Sequence, residues 1–456
     1  MGTDAPTPIV IPVDCAPKKA PCPKCGKKGR RKRILTRRVR TVAYKAIAVR
    51  EVTYGEYAAR CGCCTTFRTN PEGVPRKARY DDQVRQLVLD RVLKDGMSIE
   101  RLLVSLRREY LLVLSAGFVY DVLRDHAASL DMTAHRRTVL EHFSGTLCVD
   151  ELHLGRFTLF LATDPLCDVP VSFALVAKND RVHMERFLGN LKTWGLMPRV
   201  VVTDGSNLYP ALLAVLWPDA DHQLCVFHVI KDINELILDA VRRLKGTMAR
   251  RGKAGRKKKR GRKSKQAKAA AARRGPSLKE KAHFVFKHRH LIVKRREHLT
   301  ETERDDLVKM LGYLPELGVL RRFADRIYWL FDTPKNYHQA GCRQAAILRA
   351  PEFRAVPELI KAMEQLDAEK FTKLMAYLKS PAGQQVRTNN HVERTNRMFR
   401  FLEKVRYKWR RRRTLVRFVV LKLDEVWSAR LPAMDAGQVN HPNSPQSQRQ
   451  SARRVA

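Results

Sequence analysis

Two short segments, Thr146-Leu-Cys-Val-Asp150 and Arg199-Val-Val-Val-Thr-Asp204, decide the fold, because each is an apolar run that ends in an aspartate. Short apolar runs bounded by polar residues are typical of buried strands. The sequence pattern also predicts strands over residues 157–163, 170–176 and 222–228, and helices over residues 181–194 and 208–217. Helices placed between strands in this order predict an α/β fold with a mixed sheet.

Three carboxylates carry the predicted chemistry. Asp150 and Asp204 are 54 residues apart and end two strands of one sheet. A third acid, Glu393, lies in Arg387-Thr-Asn-Asn-His-Val-Glu393-Arg-Thr-Asn-Arg397, at the start of a predicted helix. Two hard cations about 3.5–4 Å apart need such a set of charged oxygens, which both hold the ions and help to activate water or a hydroxyl. The sequence therefore predicts a catalytic metal site built from these three acids.

Two neighbouring acids compete with Asp150 for the first position. Glu151 follows it directly in the sequence. Successive side chains of a strand point to opposite faces, so only one of the two is expected to reach the site. Asp164 ends the second predicted strand and is a weaker neighbour.

Cysteine pairs near the amino terminus predict a zinc ribbon. Cys22-Pro-Lys-Cys25-Gly has two thiols one short turn apart, and Cys61-Gly-Cys63-Cys64 offers a second pair 36 residues later. Cys61 with Cys64 repeats the two-residue gap, which leaves Cys63 as a spare. Residues 38–57, rich in Val, Thr and Tyr, predict a hairpin that carries this second pair. Four thiolates favour a tetrahedral Zn²⁺ site over unpaired structural cysteines.

Residues 81–126 have the apolar spacing of three short helices. Ser98 is expected to cap the second helix and Ser115 the third, which contains Arg124, a candidate contact to nucleic acid. Two short helices around a tight turn are typical of a helix-turn-helix, and a small helical linker has the same pattern. The basic cysteine-rich segment beside these helices favours DNA binding.

The charge of the chain indicates a polyanionic partner. Lys and Arg number 89 against 46 Asp and Glu, a formal charge of +43 on 456 residues that is too large for an ordinary metabolic enzyme. Residues 245–274 contain 15 basic residues and no acid, which predicts an arm without a core, either in contact with nucleic acid or simply solvated. The candidate contacts there are Lys257, Lys258, Lys259 and Arg260.

Other classes are excluded by composition. A hydrophobic fraction of 44% excludes a wholly disordered chain. No apolar run reaches about 18 residues, and the amino terminus lacks a signal-peptide pattern, so we expect a cytoplasmic protein with no membrane partner. Ten cysteines without such a signal indicate thiols or metal sites and not a disulfide framework.

Two motifs resemble those of DDE transposases of bacterial insertion sequences. After Asp204, Cys225-Val-Phe-His228 resembles the Cys-x-x-His of Mutator-like and hAT-like transposases, and Thr388-Asn-Asn-His-Val-Glu393-Arg-Thr-Asn396 is similar to the motif with their last acid. The resemblance covers residues 20–430. It implies an RNase H-like core with an all-α insertion before the helix that carries the glutamate. A zinc ribbon and a helix-turn-helix precede the core in several such families.

The resemblance also implies a mechanism. Asp150, whose type matches the first position in the family, would hold two Mg²⁺ (or Mn²⁺) ions together with Asp204 and Glu393. The enzyme would then cut DNA at the ends of the element and join the freed 3′-hydroxyl to target DNA. Cys225 and His228 would be a packing and hydrogen-bonding feature at the last strand of the core. The implied partner is double-stranded DNA, bound by a homo-oligomer in the nucleoid of a bacterium.

Further candidate contacts to DNA flank the last acid. Asn390 lies about one turn before the glutamate and Arg394 directly follows it, and these residues either orient it, touch DNA or belong to a solvated helix face. Trp409 precedes four consecutive arginines, of which Arg410 and Arg411 are the candidates. Arginine contacts phosphate well and tryptophan stacks on bases, although a structural tryptophan in a basic helix is as consistent with the pattern.

Six segments are predicted in all, in the order zinc ribbon, helix-turn-helix, first part of the core, basic arm with helical insertion, last part of the core, and disordered tail. Their ranges are 15–75, 80–130, 145–240, 241–380, 381–430 and 431–456. The alternatives to a transposase are a transposase-derived DNA-binding regulator without catalysis and a structure-selective nuclease with an RNase H-like fold. The presence of all three candidate acids favours the enzyme over the regulator.

Overall fold

The structure is a computed structural model that describes residues 7–62, 64–251, 276–332, 334–406 and 410–435. The chain is a mixed α/β protein with two five-stranded sheets and many helices. It divides into two compact units. The first comprises Met1–Arg137, His153–Thr158 and Asn396–Leu431, and the second comprises Thr138–Leu152, Leu159–Thr395 and Pro432–Ala456. The domain boundaries inferred from the sequence stay predictions.

The first sheet is built from the amino-terminal strands. They are β1 (Ile9–Cys15), β2 (Lys19–Pro21), β3 (Lys28–Thr41), β4 (Ala48–Ala58) and β5 (Thr66–Arg68). Their order is β1-β4-β3-β2 with β5 against β4, and β1 is parallel to β4 whereas the other pairs are antiparallel. The predicted hairpin over 38–57 corresponds to the end of β3, the turn and nearly all of β4 in the longer β3–β4 hairpin. Val39 is fully buried while its neighbour Arg38 is exposed, the alternation of a sheet with one packed face.

Four helices follow the first sheet along the chain. They are α1 (Asp82–Leu93), α2 (Ile99–Tyr110), α3 (Ala116–Ser129) and α4 (Met132–Glu141). The predicted caps are confirmed, because the hydroxyl of Ser98 accepts the backbone N–H of Arg101 and that of Ser115 accepts the N–H of Phe118. The sequence did not predict α4, which buries a single residue, Val139, and so has little hydrophobic periodicity.

The second sheet contains the segments that opened the sequence analysis. Its strands are β6 (Thr146–Leu154), β7 (Phe157–Asp164), β8 (Val169–Val176), β9 (Val200–Thr203) and β10 (Asp221–Leu224). Their order is β10-β9-β6-β7-β8, and β9 is parallel to both of its neighbours. Every residue of β7 is buried, which explains its continuous apolar character. The predicted helices are also present as α5 (Arg181–Thr193) and α6 (Tyr209–Leu216).

The predicted strand over 222–228 is wrong in its second half. β10 ends at Leu224, which pairs with Thr203, the last residue of β9, so no partner remains for a longer strand. A helix, α7 (Val226–Arg251), begins two residues later. Its buried Val229, Ile233 and Ile237 recur at helical spacing. Cys225 and His228 therefore lie at the start of this helix and not on a strand.

The remaining helices complete the chain. They are α8 (Leu278–Lys287), α9 (Glu301–Tyr313), α10 (Leu317–Phe331), α11 (Tyr337–Arg349), α12 (Pro351–Arg354), α13 (Pro357–Glu364), α14 (Ala368–Leu374), α15 (Asn390–Arg406) and α16 (Arg412–Asp435). Residues of α7 to α14 share one apolar core, in which Leu320, Phe323 and Ile327 of α10 are fully or almost fully buried. Across the described ranges, no helix is both long enough and apolar enough to cross a membrane.

Candidate active site

The ends of two parallel strands place the first two carboxylates at one edge of the second sheet. β6 and β9 pair from Thr146 with Val200 to Cys148 with Val202. Asp150 lies two residues past the last of these pairs, and Asp204 directly follows β9. Neighbouring parallel strands bring residues beyond their paired parts to the same edge. The ligand oxygens of Asp150 and Asp204 accordingly lie within 4.8 Å of each other.

Glu151 belongs to the same cluster, which the sequence analysis did not expect. Its carboxylate oxygen lies within 4.8 Å of those of Asp150 and Asp204. The expectation that only one of the two adjacent acids reaches the site is therefore wrong. The pairing of β6 with β9 ends at Cys148, three residues before Glu151. The sequence signal was present, because Glu151 directly follows Asp150, but the alternation rule for strands hid it.

The cluster is half-buried, and its surroundings disfavour the charged carboxylates. Burial raises the pKa of Asp150 to about 6, and the negative charges of Asp204 and Glu393 act in the same direction. Burial also raises the pKa of Glu151 to about 7, again with a contribution from Asp204. Burial is the larger cause of both shifts, and repulsion between the carboxylates adds to it.

Glu393, on the first turn of α15, is not one of the acids whose oxygens lie within 4.8 Å of one another, but its charge acts on Asp150. Its Oε1 is buried and lies 3.6 Å from Nε2 of His228, on the first turn of α7. Cys225 raises the pKa of His228 to about 9, and Glu393 and Asp204 add to this effect. These causes favour the protonated form of His228, whose Nε2 faces the last acid.

The residues present fit a divalent cation of the Mg²⁺ or Mn²⁺ type. All donors are carboxylate oxygens, the ligands that these ions prefer. The raised pKa values of Asp150 and Glu151 are those of a charge cluster that a cation would relieve. Oε1 of Glu393 accepts no hydrogen bond from any described residue and so remains available as a ligand.

The sequence matches a transposase family, the DDE transposases of the ISL3 type, over residues 147–416, which is more than half of the chain. The chain belongs to this transposase family. The matched range contains Asp150, Asp204 and Glu393. No curated protein matches the sequence. Among solved structures, the Drosophila P element transposase strand transfer complex is similar at 13% identity over 81% of this chain and 84% of that chain, with a TM-score of 0.27, which is too low to establish a common fold.

The transposase has a second cluster of ligands, in its first unit. Sγ of Cys22 lies 3.5 Å from that of Cys64 and 3.6 Å from that of Cys61, and Cys61 and Cys64 are 4.0 Å apart. Cys25 joins Cys22 and Cys61 within 4.8 Å. Four sulfurs at about 2.3 Å from a tetrahedral Zn²⁺ would be about 3.8 Å apart. The distances among Cys22, Cys61 and Cys64 fit this value, whereas Cys64 is not in the group formed by Cys22, Cys25 and Cys61. Cys63 lies outside the described residues.

The backbone around the first pair is shaped for thiolates. Gly26 has a φ of +74° and donates its N–H to the carbonyl oxygen of Cys22. Backbone N–H groups of Lys24 and Cys25 lower the pKa of Cys22 to about 6, whereas the adjacent sulfurs of Cys22 and Cys61, together with burial, raise the pKa of Cys64 to about 11. Backbone N–H groups thus favour a thiolate at Cys22, and the sulfur of Cys22 in turn disfavours a second thiolate at Cys64.

Asp164 and Arg124, two further residues selected from the sequence, interact with neighbouring groups of the protein. Asp164 is buried and accepts the backbone N–H and the hydroxyl of Ser144, each at 2.7 Å, so it organises a turn away from the carboxylate cluster. Arg124 on α3 forms ion pairs with Asp121 and Asp125, which neutralise part of its charge.

The predicted DNA contacts around and after Glu393 are exposed wherever the structure describes them. Asn390 is exposed, and Arg394 is 64% exposed with Nη2 3.5 Å from Oδ1 of Asp168. Arg410 and Arg411 are exposed. The remaining predicted contacts lie outside the described residues: Lys257, Lys258, Lys259, Arg260 and Trp409.

Proposed function

We propose that this transposase binds the ends of its mobile element and catalyses metal-dependent cleavage and strand transfer of double-stranded DNA. The observation that supports this most strongly is the convergence of carboxylates from separate parts of the chain. Asp150, Asp204 and Glu393 come from β6, the end of β9 and the start of α15, and the charge of Glu393 acts on Asp150. Membership of the transposase family supports the same reaction class.

The order of the second sheet supports an RNase H-like core within this proposal. In chain order its five strands are arranged 5-4-1-2-3, and the central first strand carries Asp150. The helices α7 to α14 stand in the sequence between the last strand and α15. This corresponds to an all-α insertion between the last strand of the core and the helix that carries Glu393.

Each residue of the cluster has a role in the proposed reaction. Asp150, Asp204 and Glu393 would hold two Mg²⁺ or Mn²⁺ ions, and Glu151 would add a fourth carboxylate beside them. Bound cations of this type lower the pKa of an attacking water or 3′-hydroxyl and stabilise the leaving 3′ oxygen. His228, whose Nε2 lies 3.6 Å from Oε1 of Glu393, would orient that carboxylate when it is protonated.

The first unit would supply recognition of the DNA. The four cysteines would hold a structural Zn²⁺, which stabilises the β3–β4 hairpin with its exposed basic residues Lys28, Arg30 and Arg33. The helices α2 and α3 would form a helix-turn-helix. Since two DNA ends must be cut together, a homo-oligomer is the expected active form, acting on the chromosome in the cytoplasm.

End cleavage and joining on labelled DNA from either side of the gene test the proposal. The wild type would be compared with Asp204→Ala, Glu393→Ala and the control Asp239→Ala, which removes an exposed acid paired with Arg242. We expect Mg²⁺- or Mn²⁺-dependent 3′ nicking and joined products, lost in the first two variants and kept in the control. Tight binding without cleavage by the wild type would support a regulator instead, and nicking without joining would support a nuclease.

A further inference from the structure

Two fully buried residues, Cys225 and Asn389, connect the three segments that carry the catalytic acids. Cys225 lies between β10 and α7, and its backbone N–H donates to the carbonyl oxygen of Thr203 at 2.8 Å. Thr203 is the residue directly before Asp204. Cys225 is therefore one hydrogen bond away from the backbone that carries the second acid.

Asn389 makes the other two connections. Its side-chain Nδ2 donates to the carbonyl oxygen of Val149 at 2.9 Å, and Val149 directly precedes Asp150. Its own carbonyl oxygen accepts the backbone N–H of Glu393 at 3.1 Å, on the first turn of α15. A single asparagine thus links the backbone of the first acid to that of the last.

A sulfur joins these two residues to each other. The backbone N–H of Asn389 donates to Sγ of Cys225 at 3.2 Å, in surroundings where both residues are 0% exposed. The neighbouring residues reinforce the contact, because the N–H of Val226 donates to the carbonyl oxygen of Arg387 at 2.9 Å. The backbone segments of Asp150, Asp204 and Glu393 are in this way held by one continuous set of hydrogen bonds, which we call the Cys225–Asn389 junction.

We infer that Cys225 and Asn389 are positioning residues that set the separation of Asp150, Asp204 and Glu393 for metal binding. The inference rests on the proposed function of these acids. Metal ligands work only when their geometry is held within about 0.5 Å, and neighbouring hydrogen-bond partners usually provide this restraint. Loss of such a partner typically weakens metal affinity or activity by about 10–100-fold although every ligand remains.

The atoms involved distinguish positioning from simple packing. A packing role would need only the volume of the two side chains, whereas the junction uses the donor Nδ2 of Asn389 and the acceptor sulfur of Cys225. Asn389→Asp keeps the shape but removes the donor to Val149. Cys225→Ser keeps an acceptor that Cys225→Ala removes.

The test is a Mn²⁺ titration of the full-length, zinc-loaded chain, followed by electron paramagnetic resonance of free Mn²⁺, together with end cleavage at varied Mn²⁺. The variants are Asn389→Ala, Asn389→Asp, Cys225→Ala and Cys225→Ser. The control is Asn234→Ala, which loses a hydrogen bond to the hydroxyl of Tyr328, 3.1 Å away in the helical part of the second unit. Melting temperatures are recorded for all of them.

We expect Asn389→Ala and Asn389→Asp to raise the Mn²⁺ dissociation constant by about 10–100-fold. Cys225→Ser should stay closer to the wild type than Cys225→Ala, and Asn234→Ala should lower only the melting temperature. Mn²⁺ affinity within about twofold of wild type in folded Asn389→Ala and Cys225→Ala would overturn the inference. If the Asn389 variants do not fold, the difference between Cys225→Ser and Cys225→Ala decides.

Failure of the proposed function gives a different result. A wild type that binds Mn²⁺ but does not cleave DNA contradicts the enzyme, while the Mn²⁺ affinities of the variants still decide whether the junction positions the acids. A wild type that binds no Mn²⁺ at its carboxylates, checked with Asp204→Ala, overturns both.

Discussion

Glu151 lies in β6 beyond the part of the strand that pairs with β9, and it still enters the carboxylate cluster. We expect Glu151→Gln to reduce cleavage at limiting Mg²⁺ by about 10–100-fold, because it removes a carboxylate within 4.8 Å of Asp150 and Asp204 without changing side-chain size. Saturating Mg²⁺ should restore part of the rate. The measurement is the rate of end nicking across a Mg²⁺ series, with Asp239→Asn as the control outside the site. Equal rates for wild type and Glu151→Gln at low Mg²⁺ would remove Glu151 from the proposed ligand set.

The same two adjacent acids predict a pH dependence of stability. Unfolded carboxyls titrate near pH 4, whereas the folded pKa values are about 6 for Asp150 and about 7 for Glu151. Between these values the folded state binds more protons, so the free energy of unfolding falls as the pH rises from about 4 to 7. In Mg²⁺-free buffer, the melting temperature of Glu151→Gln should decline less than that of wild type from pH 5 to pH 8. Parallel declines would contradict this.

The sequence marks candidate acids, but it does not predict how they are arranged. Asp150, Asp204 and Glu393 were predicted because strand ends and a motif pattern mark them, and these are local features. The entry of Glu151 depends on where β9 stops covering β6, which is a property of two strands together. The role of Asn389 depends on the distant carbonyl group of Val149, and no local pattern reveals that contact.

At the scale of elements, the cysteine cluster brings together the segment before β3 and the segment after β4. We expect Cys61→Ser to lower bound zinc from one ion per chain to none and to destabilise the first unit, because a structural zinc site contributes its binding energy to folding. Zinc content by mass spectrometry and binding to end DNA would be measured. The control is Cys15→Ser, whose sulfur lies near the hydroxyl of Thr69 and outside the cluster. Zinc retained by Cys61→Ser would exclude the four-cysteine site.

Element boundaries were predictable where a side chain marks them. Ser98 and Ser115 accept the backbone hydrogen bonds expected of caps, so α2 and α3 begin where the sequence indicates. The end of β10 has no such marker. It is set by the length of β9, its partner, and the apolar residues after Leu224 continue as a helix although their composition also suits a strand.

At the scale of the whole molecule, the charge of +43 is unevenly compensated. Many described basic residues are ion-paired, among them Arg33 with Glu56, Arg243 with Glu358 and Arg296 with Asp325. Residues 245–274 contain 15 basic residues and no acid, so their charges have no acidic neighbour within the segment. This segment is therefore the best candidate for the salt-dependent part of DNA affinity.

Replacing Lys257, Lys258, Lys259 and Arg260 by alanine tests that assignment. Each phosphate contact adds about 0.9 to the slope of log affinity against log salt concentration, because counterions are released from the DNA. Four lost contacts should therefore reduce the slope by up to about 3–4 and weaken binding to all sequences nearly equally. Affinities for end DNA and unrelated DNA would be measured from low to physiological salt, with Arg243→Ala as a control whose guanidinium is already paired with Glu358. An unchanged slope in the quadruple variant would mean that these four side chains are solvated and that the affinity comes from the described basic surfaces.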